Sequence, residues 1–128
     1  MLLYSGIVTN KLKETKEFYT KLFNFGIVFE NEWFLILHTP GNPTNEIAFL
    51  LPDMPQQNEI FRKPYSGSGA WVTIEVENVD ALYNTFKQEG IDIVVDIRDE
   101  EWGERHFSVV DPNGLALDIV TRKNSGDE

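Results

Sequence analysis

The sequence predicts an α+β domain made of two strand–helix–three-strand units. In each half, an apolar strand-like run precedes a stretch with apolar residues at helical spacing, and three further strand-like runs follow it. The halves align at an offset of 67 residues, which places Tyr4 on Trp71 and Tyr19 on Phe86. A duplicated supersecondary unit is the simplest explanation of both observations.

The first unit opens with an apolar strand, Leu2–Thr9, and Asn10 follows in a position suited to cap a helix N-terminus. Apolar residues then recur at helical spacing from Leu12 to Phe23, and Gly26 lies near the point where this helix must end. Three strand-like runs complete the unit: Ile27–Glu30, Trp33–His38 and Glu46–Leu51.

The second unit repeats this order. The strand Trp71–Val76 is followed by Asn78 as a helix cap, a helix face from Val79 to Phe86, and Gly90 as the helix end. The sequence Asp-Pro-Asn-Gly at residues 111–114 predicts a hairpin turn between the last two strands. The predicted strands of this unit are Ile91–Ile97, Arg105–Val110 and Leu115–Val120.

These units define a single domain over residues 1–121, with module one at 1–51, a connector at 52–69 and module two at 70–121. The connector is rich in Pro, Gln, Ser and Gly, as expected of a linker. It also contains Ile60, Phe61 and Tyr65, so part of it is expected to pack on the fold or on a partner subunit. Residues 122–128 form a polar tail that we expect to fray.

The composition restricts the possible functions. The chain has no cysteine, which excludes disulfides, thiolate metal ligands and cysteine nucleophiles. Its net charge is −10, and residues 69–128 hold fourteen Asp/Glu against five Lys/Arg. A field of this sign repels phosphates and anionic lipids, so we expect neither nucleic acid nor a membrane as partner. It favours a cationic ligand, or it serves solubility alone. No run has the length of a membrane span or the pattern of a leader peptide, and a cytoplasmic location is the expectation.

Strand alternation in module two collects a polar and aromatic set on one sheet face, opposite an apolar face that should pack on a helix. Such a set is typical of a small-ligand pocket, although a solvent-facing sheet side has the same pattern. A register slip in the hairpin would move His106 to the other face. The set consists of Trp71, Thr73, Glu75, His106, Ser108 and Asp118.

The closing segments Trp102–Phe107 and Asp111–Asp118 resemble the final hairpin of the vicinal oxygen chelate superfamily, which is the glyoxalase/bleomycin resistance/dioxygenase family. Val8–Asn10, with the aromatic pairs of the first helix, resembles the first strand and helix of the same family. The resemblance covers nearly the whole chain. It implies two βαβββ modules whose mixed sheets curl around a cleft, commonly in a homodimer. It does not specify an activity, because one fold hosts many functions.

In metal-dependent members of the family, the resemblance places one ligand, usually His or Glu, on the first strand and one on the last strand of each module. The corresponding residues here are Tyr4, Phe49, Trp71 and Asp118. Of these four side chains, only the Asp118 carboxylate is a good ligand for a divalent ion. Transition-metal sites need several N or O donors that converge on one point, so a single carboxylate is not enough. An apolar, stacking floor formed by Phe49 and Trp71 fits a metal-free pocket instead.

The sequence therefore favours a metal-free protein that binds a small organic ligand, aromatic or cationic, as in drug sequestration. The first alternative is a metal-dependent lyase, isomerase or dioxygenase with a displaced site at His106, Glu75 and Asp118, and the sequence leaves enzymatic activity open. The second is a dimeric partner-binding module with a vestigial cleft. In an enzyme, His106 is the best proton-transfer candidate, and Glu75 could serve as a general base. The expected ligand-binding residues are Tyr4, Trp33, Phe49, Trp71, Thr73, Trp102, Ser108 and Asp118.

Overall fold

The structure, a computed structural model, describes residues 1–123 and confirms two βαβββ modules. The described residues divide into two compact units, 1–66 and 67–123. Within residues 1–123, no helix is long and apolar enough to cross a membrane. The elements of the first unit are β1 (Ser5–Val8), α1 (Leu12–Phe23), β2 (Gly26–Glu30), β3 (Phe34–His38), β4 (Glu46–Leu50) and a 3-10 turn (Glu59–Phe61). The elements of the second unit are β5 (Trp71–Glu75), α2 (Val79–Gln88), β6 (Val95–Asp99), β7 (Glu104–Val110) and β8 (Ala116–Arg122).

Each module contains one four-stranded mixed sheet with the same topology. The strand order is β1-β4-β3-β2 in module one and β5-β8-β7-β6 in module two. In both sheets the first strand pairs in parallel with the last, and the other pairs are antiparallel. The third and fourth strands of each module form a hairpin, and the helix provides the crossover that a parallel pair requires.

One face of each sheet packs on the helix of its own module. In module one, Phe49 is fully buried and lies 5.6 Å from Tyr19 of α1, measured between ring centroids. In module two, Phe107 contacts Phe86 of α2 edge-on at 5.6 Å. The apolar alternation along β3, β4, β7 and β8 therefore points at the helices, because burial of one sheet face against a helix stabilises both elements.

Several predicted element ends are wrong by a few residues. Helix α1 has Lys11 rather than Asn10 at its N-cap, and it ends at Phe23 with Asn24 in the left-handed conformation. Gly26 instead begins β2, where the ring of His38 excludes a side chain: a Cβ on Gly26 would lie 2.2 Å from its Nε2 atom. In module two, Asn78 caps α2 as predicted, since its side chain accepts a hydrogen bond from the Ala81 amide.

Strand β6 begins at Val95, four residues later than predicted. The Ile91 amide still donates to the Phe86 carbonyl at the end of α2, and pairing with β7 starts only where the Val94 amide donates to Ser108. The strand also runs to Asp99, beyond its predicted end at Ile97. Strand β1 is shorter than predicted, because its pairing with β4 starts at Ser5.

The connector is joined to module one by a backbone hydrogen bond in which the Tyr65 amide donates to the Val8 carbonyl at 2.8 Å. At the other end of the chain, β8 extends to Arg122, one residue into the predicted tail. Residues 124–128 of that tail lie outside the described residues.

Candidate functional site

A shallow depression of about 220 Å³ lies on the face of the module-two sheet opposite helix α2. Strand β8 runs between the two strands that contribute the other polar side chains. Asp118 of β8 pairs with Thr73 of β5 on one side and with Ser108 of β7 on the other. This register places the whole polar and aromatic set derived from alternation on one face. The lining consists of Trp71, His106, Ser108, Ala116, Leu117 and Asp118.

His106 lies between two carboxylates. Its Nδ1 atom is 2.6 Å from Oδ1 of Asp118, and its Nε2 atom is 2.7 Å from Oε2 of Glu100. Glu100 is also held by Arg98, whose Nε atom lies 2.9 Å from the same Oε2. The His106 and Glu100 side chains are largely buried, so these contacts are partly shielded from water.

This geometry fits the imidazolium form of His106, because an imidazole that faces an acceptor at both ring nitrogens must donate from both. Burial alone would lower the pKa of His106, but the hydrogen bonds to Asp118 and Glu100 outweigh it and raise the pKa above its usual value. The hydrogen bond from His106 in turn lowers the pKa of Glu100 against its partial burial, with a further contribution from Arg98. A histidine in this state has no free lone pair with which to take up a proton or to bind a metal.

Asp118 uses its two carboxylate oxygens differently. Oδ1 accepts hydrogen bonds from His106 Nδ1 and from the Ser108 hydroxyl at 3.0 Å. Oδ2 has no hydrogen-bond partner among residues 1–123. Asp118 lines the depression with a side chain that is 26% exposed, and Oδ2 is the oxygen that is left to accept a hydrogen bond from a ligand.

Trp71 forms the aromatic side of the depression. Trp71 is 66% exposed, and its Nε1 atom donates to the Thr73 hydroxyl at 3.0 Å. This bond fixes the ring beside Ala116, the cross-strand partner of Trp71. Thr73 thus contributes by orienting the indole, although it does not itself line the depression.

Besides Thr73, two residues predicted for the site lie in module two but outside the depression. Glu75 shares the sheet face, yet its carboxylate points to Arg122, 3.8 Å away. Trp102 lies in the turn between β6 and β7 and donates to Glu104 at 2.6 Å. Of the predicted site residues, His106, Ser108, Asp118 and Trp71 therefore line the depression, whereas Glu75 and Trp102 do not.

The predicted site residues of module one are not gathered in the same way. Tyr4 precedes β1 and is exposed, and Trp33 packs against Phe34 at 5.8 Å between ring centroids. Phe49 belongs to the core under α1, so its place in a ligand-binding floor is wrong. Its neighbour Ala48 is the true counterpart of Asp118, because Ala48 pairs with the first strand and the third strand as Asp118 does.

Glu100 is a partner of His106 that the predicted elements do not include. The predicted strand ended at Ile97, whereas β6 continues to Asp99, with Arg98 paired to His106. The Glu100 amide then donates to the Glu104 carbonyl at 2.7 Å. Alternation continued for three more residues would have placed Arg98 and Glu100 on the face of His106.

The sequence matches the family model of the Glyoxalase/Bleomycin resistance protein/Dioxygenase superfamily over residues 2–119. The chain belongs to this superfamily. No curated protein matches it in sequence.

Solved structures of the superfamily share the fold at low sequence identity. A glyoxalase/bleomycin resistance/dioxygenase superfamily member from Sphaerobacter thermophilus DSM 20745 is 21% identical, with a TM-score of 0.74 over 95% of this chain and 97% of that one. A bleomycin resistance determinant encoded on transposon Tn5 is 20% identical, with a TM-score of 0.65 over 97% and 99%. A lactoylglutathione lyase from Agrobacterium tumefaciens is 13% identical, with a TM-score of 0.71 over 94% and 92%. At these identities the likeness concerns the fold alone.

The residues at the superfamily's metal-ligand positions do not fit a divalent ion. With Ala48 in place of Phe49, the four positions offer a phenol, a methyl group, an indole and one carboxylate. The displaced set fits no better, because both nitrogens of His106 are engaged and Glu75 faces Arg122. Within residues 1–123, no group of three His, Asp or Glu side chains is arranged to hold a metal.

Proposed function

We propose that this superfamily member binds a small organic ligand on the open face of module two, without a transition metal. The observation that carries the proposal is the exposed Trp71 indole, fixed by Thr73 at the edge of a depression that ends in the open oxygen of Asp118. An aromatic wall next to one polar point is the usual composition of a small-ligand site. Imidazolium His106 then orients Asp118 and does not act as a base or a metal ligand.

Reversible binding at this face is the function that the contacts support best. The lyase, isomerase or dioxygenase alternative requires a nitrogen or oxygen donor set that converges on one point, and His106 would first have to release both carboxylates. The proposal includes a cytoplasmic location and a homodimer, and light scattering on the purified protein measures the latter.

The first test is ligand binding that depends on Trp71. We would titrate ¹⁵N-labelled protein with 1-naphthylmethanol, an uncharged aromatic probe, and follow the backbone amide signals of Ala116 and Asp118, which both variants keep. Trp71→Ala should weaken binding about two- to tenfold, since an aromatic contact of this kind contributes about 0.5–1.5 kcal/mol. Ile60→Ala removes an exposed apolar side chain outside module two and should leave the affinity unchanged. Equal affinity of both variants would contradict the proposed site.

The second test is metal content after reconstitution with Mn, Fe, Co, Ni and Zn and desalting. Retention below a tenth of an equivalent for each metal is expected. Near-stoichiometric retention of one metal that His106→Ala abolishes would overturn the metal-free proposal and would favour the enzyme alternative.

A further inference from the structure

The hydrogen-bonding groups that line the depression of module two divide unevenly into engaged donors and open acceptors. His106 donates from both ring nitrogens, Ser108 donates to Asp118, and the Trp71 indole donates to Thr73. Every side-chain N–H or O–H on the lining is therefore committed within the protein. The backbone amides of Ala116 to Asp118 belong to β8, which has a paired strand on each side.

The acceptors on the lining, unlike the donors, can still form hydrogen bonds to a ligand. Asp118 Oδ2 has no partner within residues 1–123, and the Ser108 oxygen retains lone pairs after donating its proton. The negative charge of Glu100 is balanced by Arg98, and the charge of His106 is shared between its two carboxylates. These four charges sum to zero, but Asp118 Oδ2 presents to whatever enters the depression a carboxylate oxygen without a hydrogen-bond partner among residues 1–123.

We infer that this site selects ligands by the hydrogen-bond donors they carry: it takes a flat aromatic compound with a protonated amine or a ring N–H and rejects carboxylates and phosphates. This inference rests on the proposed binding function and names its ligand class. An anionic ligand would set its acceptors against Asp118 Oδ2 and find no free donor on the lining, so its desolvation would be uncompensated. An N–H donor would instead form a charge-assisted hydrogen bond to that oxygen while the ring packs on Trp71.

The experiment compares two probes of one shape and opposite chemistry, 1-naphthylmethylamine and 1-naphthoate. Each is titrated into ¹⁵N-labelled protein at pH 6.0, where the amine is protonated, the naphthoate is ionised and His106 carries its charge. The indole N–H signal of Trp71 reports binding, and the backbone amide signal of Ala116 reports it in Trp71→Ala. The amine should bind at least tenfold more tightly than the carboxylate.

The decisive variant is Asp118→Asn, which keeps the shape of the side chain and exchanges the open acceptor for an N–H donor. The remaining oxygen can still accept from Ser108 and His106. The preference for the amine should fall at least tenfold, to parity or to a preference for the carboxylate. The matched control is Asp99→Asn, which removes the same charge from an exposed side chain that pairs with Arg105. It should keep the preference of the unmodified protein.

Three outcomes would overturn the inference. Equal affinities for the two probes, both dependent on Trp71, would remove the donor selection and leave the proposed binding function standing. An equal loss of preference in Asp99→Asn and Asp118→Asn would assign the selection to long-range charge. If neither these probes nor 1-naphthylmethanol bound in a Trp71-dependent way, the proposed function itself would fail, and the inference with it.

Discussion

The two modules share one backbone plan but carry opposite chemistry on their open sheet faces. In module two, His106, Ser108, Thr73 and Asp118 surround one point. The strand pairings of module one place an apolar or small residue at each equivalent position. These counterparts are Phe34 for His106, Ile36 for Ser108, Gly6 for Thr73 and Ala48 for Asp118.

The difference between these faces shows which parts of a duplicated unit must be kept. Both modules bury an aromatic core between sheet and helix, with Tyr19 and Phe49 in one and Phe86 and Phe107 in the other. The core fixes the fold of each module, because burial of these rings provides much of its stability. The open face carries no such requirement, so it is free to hold polar groups in one module and apolar groups in the other.

The largest expected effect tests whether the core and the open face are assigned correctly. Phe49→Ala should lower the free energy of unfolding by about 3–5 kcal/mol, because it leaves a cavity under α1. Trp71→Ala should change it by only about 0.5 kcal/mol, because most of the indole is in solvent. Urea unfolding followed by circular dichroism measures both. A small effect of Phe49→Ala would mean that Phe49 lies on the open sheet face and not in the core.

The next effect tests whether the open face of module one can accommodate a carboxylate at the position equivalent to Asp118. Ala48→Asp puts a carboxylate at the position equivalent to Asp118, but with Phe34 and Ile36 in place of its donors. Ala48 is buried, so the unpaired charge should cost about 3 kcal/mol at pH 7. The cost should shrink at pH 4, where the carboxyl can protonate. Unfolding curves at the two pH values check this, and an unchanged stability would mean that the two faces are less different than the register indicates.

The smallest expected effect is a pH dependence confined to module two. The pKa of His106 is raised in the folded protein, so its contribution to stability is complete below the unfolded pKa of about 6.5 and is lost as pH rises through the folded pKa. The lowered pKa of Glu100 acts only at acidic pH, outside this window. The free energy of unfolding should therefore decrease between pH 6 and pH 9.

The matched variant is His106→Phe, which installs the module-one residue and removes the titrating group. Its stability should be lower at pH 6, and its decrease towards pH 9 should be smaller than that of the unmodified protein. An identical slope in both proteins would mean that His106 is not held as an imidazolium by Asp118 and Glu100.

Sequence reasoning predicted the cores better than the site. It identified both βαβββ modules, the helix-facing alternation of Phe107 and Leu117, and the shared face of His106 and Asp118. It failed where the two modules differ in loop length. The repeat offset is 67 residues at the first strands but 70 at the last strands, since Ala48 and not Phe49 is the counterpart of Asp118.

The sequence by itself determined the secondary-structure elements of this protein, their order and the faces that become buried. These follow from periodicities of two and 3.6 residues along the chain, and burial of apolar surface enforces them. Only the tertiary structure decided that Glu100 and Asp118 hold both nitrogens of His106, and that one oxygen of Asp118 stays open. The physical reason is that strand register brings these side chains together across a turn and a hairpin, and hydrogen bonds of this length depend on that register rather than on spacing in the sequence.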